Sequence, residues 1–196
     1  MPDADCITWS FPCTDISSAG QQKGLSEDSG TRSSLCWDAI RIFREKKPTF
    51  LVMENVASLI SSKFIKDFHK ILSALEEIGY TNFTQVLDSC KYGIPQHRER
   101  VFMVSILRTE ENPEPKYYFP KPFPLTKRLK DVLEENVDEK YYLSDERIQG
   151  LINSTQKESE RGNGFKFEPT NGSGVSHTVK TTNGSRKTDT FLYEDE

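Results

Sequence analysis

Apolar positions in this chain follow two rhythms and then lose both. Cys6 to Phe11 is a short apolar run that stops at Pro12, the mark of a buried strand feeding a loop that continues to about Arg32. Leu35, Ala39, Ile42 and Phe43 then recur at helical spacing until Lys46-Lys47-Pro48 stops them. Phe50-Leu51-Val52-Met53 is an unbroken run of strand length, ended by Glu54-Asn55. Phe64, Phe68, Ile71, Leu72 and Leu75 mark one face of a second helix, closed by Gly79. Phe83 to Leu87 and Val101 to Ile106 are two more strands, joined by a segment with Gly93 and Pro95. Strands alternating with helices at this spacing predict a doubly wound α/β sheet. Ligands of such sheets collect at the carboxyl ends of strands. Pro12-Cys13 and Glu54-Asn55 both fall there, so two groups far apart in sequence are expected to share one edge.

After Arg108 the rhythm breaks. Residues 111–124 carry five prolines, and Leu129, Val132 and Leu133 suggest one short helix. From Asn153 to Asn183 the chain is rich in Gly, Ser, Thr, Asn and Lys, which reads as a separate, loop-rich, partly β piece. Its glycines lack the GxxxxGK[ST] spacing of a phosphate loop. The division placed here is 1–110 and 111–196.

Composition narrows the classes. With 35% hydrophobic and 29% charged residues over 196, the chain holds one real core and a small appendage. No apolar run approaches a membrane span and the N-terminus is acidic, so neither a membrane nor a secretory signal is expected. Cys6, Cys13, Cys36 and Cys90 show no CxxC pairing and no clustering with histidine along the chain. Neither a metal site nor a disulfide framework is expected, and a reducing cytoplasm fits. The net charge of −4 argues against a broad phosphate-binding surface. Lys91, Arg98, Arg100 and Arg108 nevertheless cluster locally, which leaves nucleic acid open.

Three short pieces carry candidate chemistry: Pro12-Cys13, Glu54-Asn55-Val56, and Gln96-His97-Arg98-Glu99-Arg100. Each has a bland alternative. Cys13 reads equally as a loop cysteine, Glu54 as a capping carboxylate, and the arginines as a solvated strand edge.

In order and spacing, the three together resemble the C5-cytosine-specific DNA methyltransferase family. The family's G-F-P-C-Q-x-F-S is matched by SFPCTDIS, its E-N-V by Glu54-Asn55-Val56, and its GIPQxRxR by GIPQHRER. AGQQKG resembles the flexible loop beyond the nucleophile, and the likeness covers most of residues 5–108. It implies an incomplete Rossmann-like, S-adenosylmethionine-dependent methyltransferase sheet with a partial target-recognition segment. It implies Cys13 as the nucleophile that adds to cytosine C6, so that C5 can take a methyl group. Glu54 would hold N3 and the exocyclic amine, Arg100 the ring O2, and Arg98 the ring and a neighbouring phosphate. Asp5, Pro12 and Leu35 match positions near the cofactor, S-adenosyl-L-methionine. Ser17, Arg98 and Thr178 (in SHTVK) match DNA contacts. The implied partner is double-stranded DNA with its target base flipped out.

Departures accompany the likeness. Thr14 stands for the usual Gln and Ile16 for the usual Phe. The family's F-x-G-x-G cofactor turn does not precede these motifs, so the expectation is a chain inactive alone that partners a missing N-terminal half. A DNA-binding remnant and a tRNA methyltransferase stay open beside this reading. A cysteine hydrolase pairing Cys13 with His97 lacks a recognisable orienting residue, and the C-x5-R of a tyrosine phosphatase would need Arg at Ala19.

Overall fold

A computed structural model of the chain describes residues 3–13, 16, 30–160, 162, 166–179 and 189–193. Four strands, β1 (Cys6–Trp9), β2 (Phe50–Val56), β3 (Tyr80–Asp88) and β4 (Glu99–Leu107), form one sheet in the order β1-β2-β4-β3. Helix α1 (Leu35–Lys46) connects β1 to β2, and α2 (Ile65–Ile78) connects β2 to β3. The predicted alternation of strand and helix is present.

Helical spacing decides which face of each helix is buried. In α2 it is Phe68, Ile71 and Leu75, as expected, but in α1 it is Cys36, Ile40 and Phe43, while Leu35 and Ile42 of the expected stripe are exposed. Lys47 closes α1 with a left-handed φ of 46°, immediately before Pro48. Gly79 closes α2 with a φ of 118°, a backbone that favours glycine. Along β2 burial alternates strictly: Leu51, Met53 and Asn55 are buried while Val52, Glu54 and Val56 are half-exposed. The buried face meets Val101 and Met103 of β4 and the apolar faces of α1 and α2 in one core.

β2 departs from the sequence reading in length and in its neighbour. Glu54-Asn55 does not end the strand, because Glu54, Asn55 and Val56 pair onward with Phe102, Val101 and Arg100. β1 and β2 are parallel, but β2 and β4 are antiparallel. The sheet is therefore mixed.

The chain divides into two compact units. One is built from residues up to Leu87 together with Glu99–Lys121, and the other from Asp88–Arg98 together with the residues from Pro122 onward. In the second, α3 (Asp145–Glu160) is a helix where the composition suggested loop from Asn153. Ser144 Oγ accepts from Arg147 N–H at 3.3 Å, and Asp145 and Glu146 lie in the first turn. Leu151 is the buried residue of this polar helix. Phe167 stacks edge-on with Phe191 at 5.0 Å, and Thr170 bridges Leu192. The predicted short helix is a 3₁₀ turn, Leu129–Val132. No helix among the described residues is long and apolar enough to cross a membrane.

Candidate active site

The residues after β1 are tied down one at a time. Ser10 Oγ donates to Glu54 O at 2.8 Å. Asn55 Nδ2, buried, donates to Phe11 O at 3.1 Å, and Ser33 Oγ donates to Pro12 O at 2.6 Å. Cys13 O accepts from Ile16 N–H at 3.1 Å, and Ile16 O in turn accepts from Ser58 Oγ at 2.8 Å. Cys13 is half-buried, a free thiol on backbone fixed from both sides. The two carboxyl-end groups do share an edge, and Asn55 is the link. Strand alternation explains why one motif can do both jobs. Asn55 points to the core to hold the Cys13 loop, and its neighbour Glu54 points the other way.

Glu54 meets Arg100. Arg100 Nε lies 2.9 Å from Glu54 Oε1, with Arg100 18% and Glu54 42% exposed. The pair is diagonal, since Arg100 stands opposite Val56, two residues on from Glu54 on the same face. Arg100 Nη1 also donates to Glu99 O at 2.7 Å. The antiparallel run of β4 explains how a motif at the start of a strand reaches an edge that β1 and β2 reach with their ends.

The other expected positions divide. Arg98 belongs to the second unit, where its N–H donates to Asp88 Oδ1 at 3.0 Å and its Nη1 to Val179 O at 3.5 Å. Thr178 lies in the same unit and donates through Oγ1 to His97 O at 2.7 Å. Ser176 bridges Gln96, so the SHTVK stretch is knitted to the Gln-x-Arg segment. Pro12 and Leu35 are exposed, on segments joined by the Ser33–Pro12 bond. Asp5 precedes the first residue of β1 and so stands about 13 Å of strand from the Cys13 end. Its carbonyl accepts from Phe50 N–H, and it is not brought together with Pro12. Ser17 and the AGQQKG loop lie outside the described residues. A groove of about 560 Å³ between α1 and α2 is lined by Trp37, Asp38, Arg41, Arg44 and Glu77 and includes neither Cys13 nor Glu54. It is a cleft between helix faces, apart from the tethered loop.

The decisive comparison is with sequence families. The model of the C-5 cytosine-specific DNA methylases matches residues 1–194. This chain belongs to that family. A type II methyltransferase of Lactococcus lactis subsp. cremoris, M2.ScrFI, is 49% identical over 148 residues, covering 76% of this chain and 40% of its own length. M.HhaI of Haemophilus parahaemolyticus is 38% identical over 133 residues, covering 68% and 39%. The methylase chain thus spans less than half the length of these relatives. Among solved structures, the Dnmt2 methyltransferase of S. pombe superposes with a TM-score of 0.65 at 17% identity, over 99% of this chain and 57% of its own. The DNMT2 of Spodoptera frugiperda gives 0.60 at 20%, over 88% and 49%. These likenesses establish the fold.

Sequence reasoning quoted Asn55 without giving it a task and passed over Ser33. No local signal marks either, because both act on carbonyls more than twenty residues away. Asn55→Ala leaves the Phe11 carbonyl without its donor and a gap in the core, since Asn55 is 2% exposed. The expected cost is about 1–3 kcal/mol, read as a lower urea midpoint. An unchanged midpoint would remove Asn55 as the tether of the Cys13 loop.

Proposed function

We propose that this chain carries the catalytic and target-reading part of a DNA cytosine-5 methyltransferase of a modification system. The observation that supports this most directly is the Glu54–Arg100 ion pair, on the strand whose next residue, Asn55, holds the Cys13 loop. Without substrate the carboxylate and guanidinium satisfy one another. A cytosine rotated out of the duplex takes both over, Glu54 at N3 and the exocyclic amine, Arg100 at O2.

Cys13 Sγ, as thiolate, then adds to C6. As the S–C6 bond forms, the electron pair of the C5–C6 double bond shifts to a C4–C5 double bond and that of the C4–N3 double bond moves to N3, which takes a proton relayed from solvent through Glu54. C5 is now enamine-like and nucleophilic. S-adenosylmethionine, when bound, supplies the electrophilic methyl group. Loss of the C5 proton to a base returns the electron pair, the N3 proton goes back to Glu54, and Cys13 leaves as thiolate. Arg98 and Thr178 stand with the second unit, as phosphate-side contacts that set register while other residues read bases.

Pro12 and Leu35, the latter 51% exposed, fit one apolar lip for the cofactor. No F-x-G-x-G turn occurs among the 196 residues, and backbone approach to the ligand depends on such a turn. The isolated chain is therefore expected to give no calorimetric signal with micromolar S-adenosylmethionine. Supplying a segment with that turn, in cis or as a second polypeptide, should restore binding. Clear binding by the isolated chain would mean a cofactor site of another design.

The reading is tested with that reconstituted enzyme, methyl-labelled cofactor, duplex DNA and tRNA. Label is expected at cytosine C5 of the duplex; label on tRNA alone, or none, overturns it. Sequence preference is expected to follow residues 111–196. Exchanging that segment with a relative's should transfer the target site, and a target that stays with residues 1–110 would refute the division.

A further inference from the structure

A turn in the second unit gathers chemistry that the methyl-transfer site does not use. Asp88 caps the 3₁₀ turn Ser89–Tyr92, and the chain then doubles back so that His97 returns beside it. His97 Nδ1 lies 2.9 Å from Asp88 Oδ2 and 3.3 Å from Cys90 Sγ, and Cys90 Sγ lies 3.1 Å from the same Asp88 oxygen. Among the described residues, this is the group of three whose ligand atoms converge on one point.

The convergence separates two chemistries. A cysteine–histidine–aspartate relay needs the thiol on one ring nitrogen and the carboxylate on the other. Here one nitrogen, Nδ1, faces both, so no proton can pass across the ring from Cys90 to Asp88. A cation asks for the opposite arrangement, with three donor atoms around one centre. Tetrahedral zinc with one sulfur, one nitrogen and one oxygen ligand places those atoms about 3.3–3.6 Å apart, so each observed edge needs to open by only a few tenths of an ångström.

We propose that Asp88, Cys90 and His97 form a three-ligand site for a borderline-soft divalent metal ion of the zinc class, with a fourth position open to water.

The supporting contacts are those a metal site needs. Asp88 Oδ1 is occupied by the N–H groups of Arg98 at 3.0 Å and Cys90 at 3.4 Å, which leaves Oδ2 aimed inward. His97 is held at both ends of its peptide: its N–H donates to Ser176 O at 2.8 Å, and its carbonyl accepts from Thr178 Oγ1. The His97 side chain is 58% exposed, so solvent reaches the open position. Burial raises the Asp88 carboxyl, but hydrogen bonds from His97, Cys90 and the two backbone N–H groups outweigh this and bring it down to about 2. Burial and the neighbouring Asp88 carboxylate raise the Cys90 thiol. A metal ion binds Cys90 as the thiolate, so binding releases the thiol proton to solvent. The mixed set of thiolate, imidazole and carboxylate favours zinc over magnesium or calcium. Because His97 is bonded to Ser176 and Thr178, a bound ion would also stiffen the seam between the Gln96–Arg98 segment and the SHTVK stretch.

Cobalt(II) is the probe, titrated into the reduced 196-residue chain. One equivalent is expected to give tetrahedral visible bands and a thiolate-to-cobalt charge-transfer band, both erased by zinc. Cys90→Ser should abolish the charge-transfer band, and His97→Ala should weaken cobalt by more than about 100-fold, beyond the loss that follows removal of a supporting partner. In the unaltered chain, zinc should shield Cys90 from iodoacetamide while exposed Cys6 stays reactive, a readout independent of any variant's folding. Absence of the band, its persistence in Cys90→Ser, or equal alkylation of Cys90 with and without zinc would each overturn the assignment.

Discussion

Duplex DNA carrying 5-fluorocytosine at the target position is expected to become covalently attached to the reconstituted enzyme through Cys13, and to remain so. Addition at C6 and methyl transfer proceed, but fluorine cannot leave C5 as a proton, so the S–C6 bond has no route to break. Cys13→Ser should give no adduct and lower methyl transfer by at least about 10⁴-fold, the scale on which loss of a nucleophile is felt. Serine is nearly isosteric and Cys13 is only half-buried, so the variant keeps the backbone bonds of the loop. The thermal midpoint should therefore barely move. Peptide mapping of the adduct decides the matter, since attachment at Cys36 or Cys90, or an undiminished adduct in Cys13→Ser, would displace the assignment.

Glu54→Gln is expected to lower the rate of methyl transfer by about 10²–10⁴-fold while changing DNA affinity by no more than a few fold. The structure makes this substitution cleaner than it would otherwise be. The amide oxygen still accepts from Arg100 Nε, which sits 2.9 Å away in the parent, so Arg100 keeps its position. What is lost is the proton shared with N3. Glu54→Ala removes both and should also free Arg100, adding a loss in binding. Single-turnover rates at saturating DNA separate the cases. If Gln and Ala lower affinity and rate equally, Glu54 is a strand-edge support for Arg100 and not the group that activates the ring.

How much of this was legible in the sequence depended on whether the cause was local. The second helix could be read because Phe68, Ile71 and Leu75 repeat at the helical period and meet a core. For α1 the helix was legible but not its face, since Leu35 and Ile42 are exposed while Cys36 and Ile40 are buried with Phe43. The end of β2 was misjudged because Glu54 and Asn55 are polar for reasons that lie elsewhere in the chain: one faces Arg100, the other carries a carbonyl of residue 11. α3 was obscured by composition, since Leu151 is its buried residue and its start is written in capping chemistry at Ser144 and not in apolar rhythm. Asp5 and Pro12 were grouped by the likeness alone, and β1 lies between them as an extended strand. The Asp88–Cys90–His97 cluster left no recognisable spacing, because a 3₁₀ turn and the return toward β4 bring it together. Cys13, Glu54 and Arg100 were singled out by the likeness of three motifs in order. The Glu54–Arg100 pair and the Asn55 bond to the Cys13 loop depend on strand pairing and burial.

The reversed direction of β4 sets where this chain can change length without losing the Glu54–Arg100 pair. Residues added between Tyr92 and Pro95 would enlarge a connection and leave the pairing of Val56 with Arg100 untouched. One residue inserted between Arg100 and Val101 has a different effect. It would move every preceding side chain to the opposite face of the sheet, carrying Arg100 toward Asn55 and away from Glu54. Drift in loop length ahead of Glu99 thus spares the Glu54–Arg100 pair, whereas an insertion inside the strand breaks it, and among descendants of this gene indels should stop short of the strand.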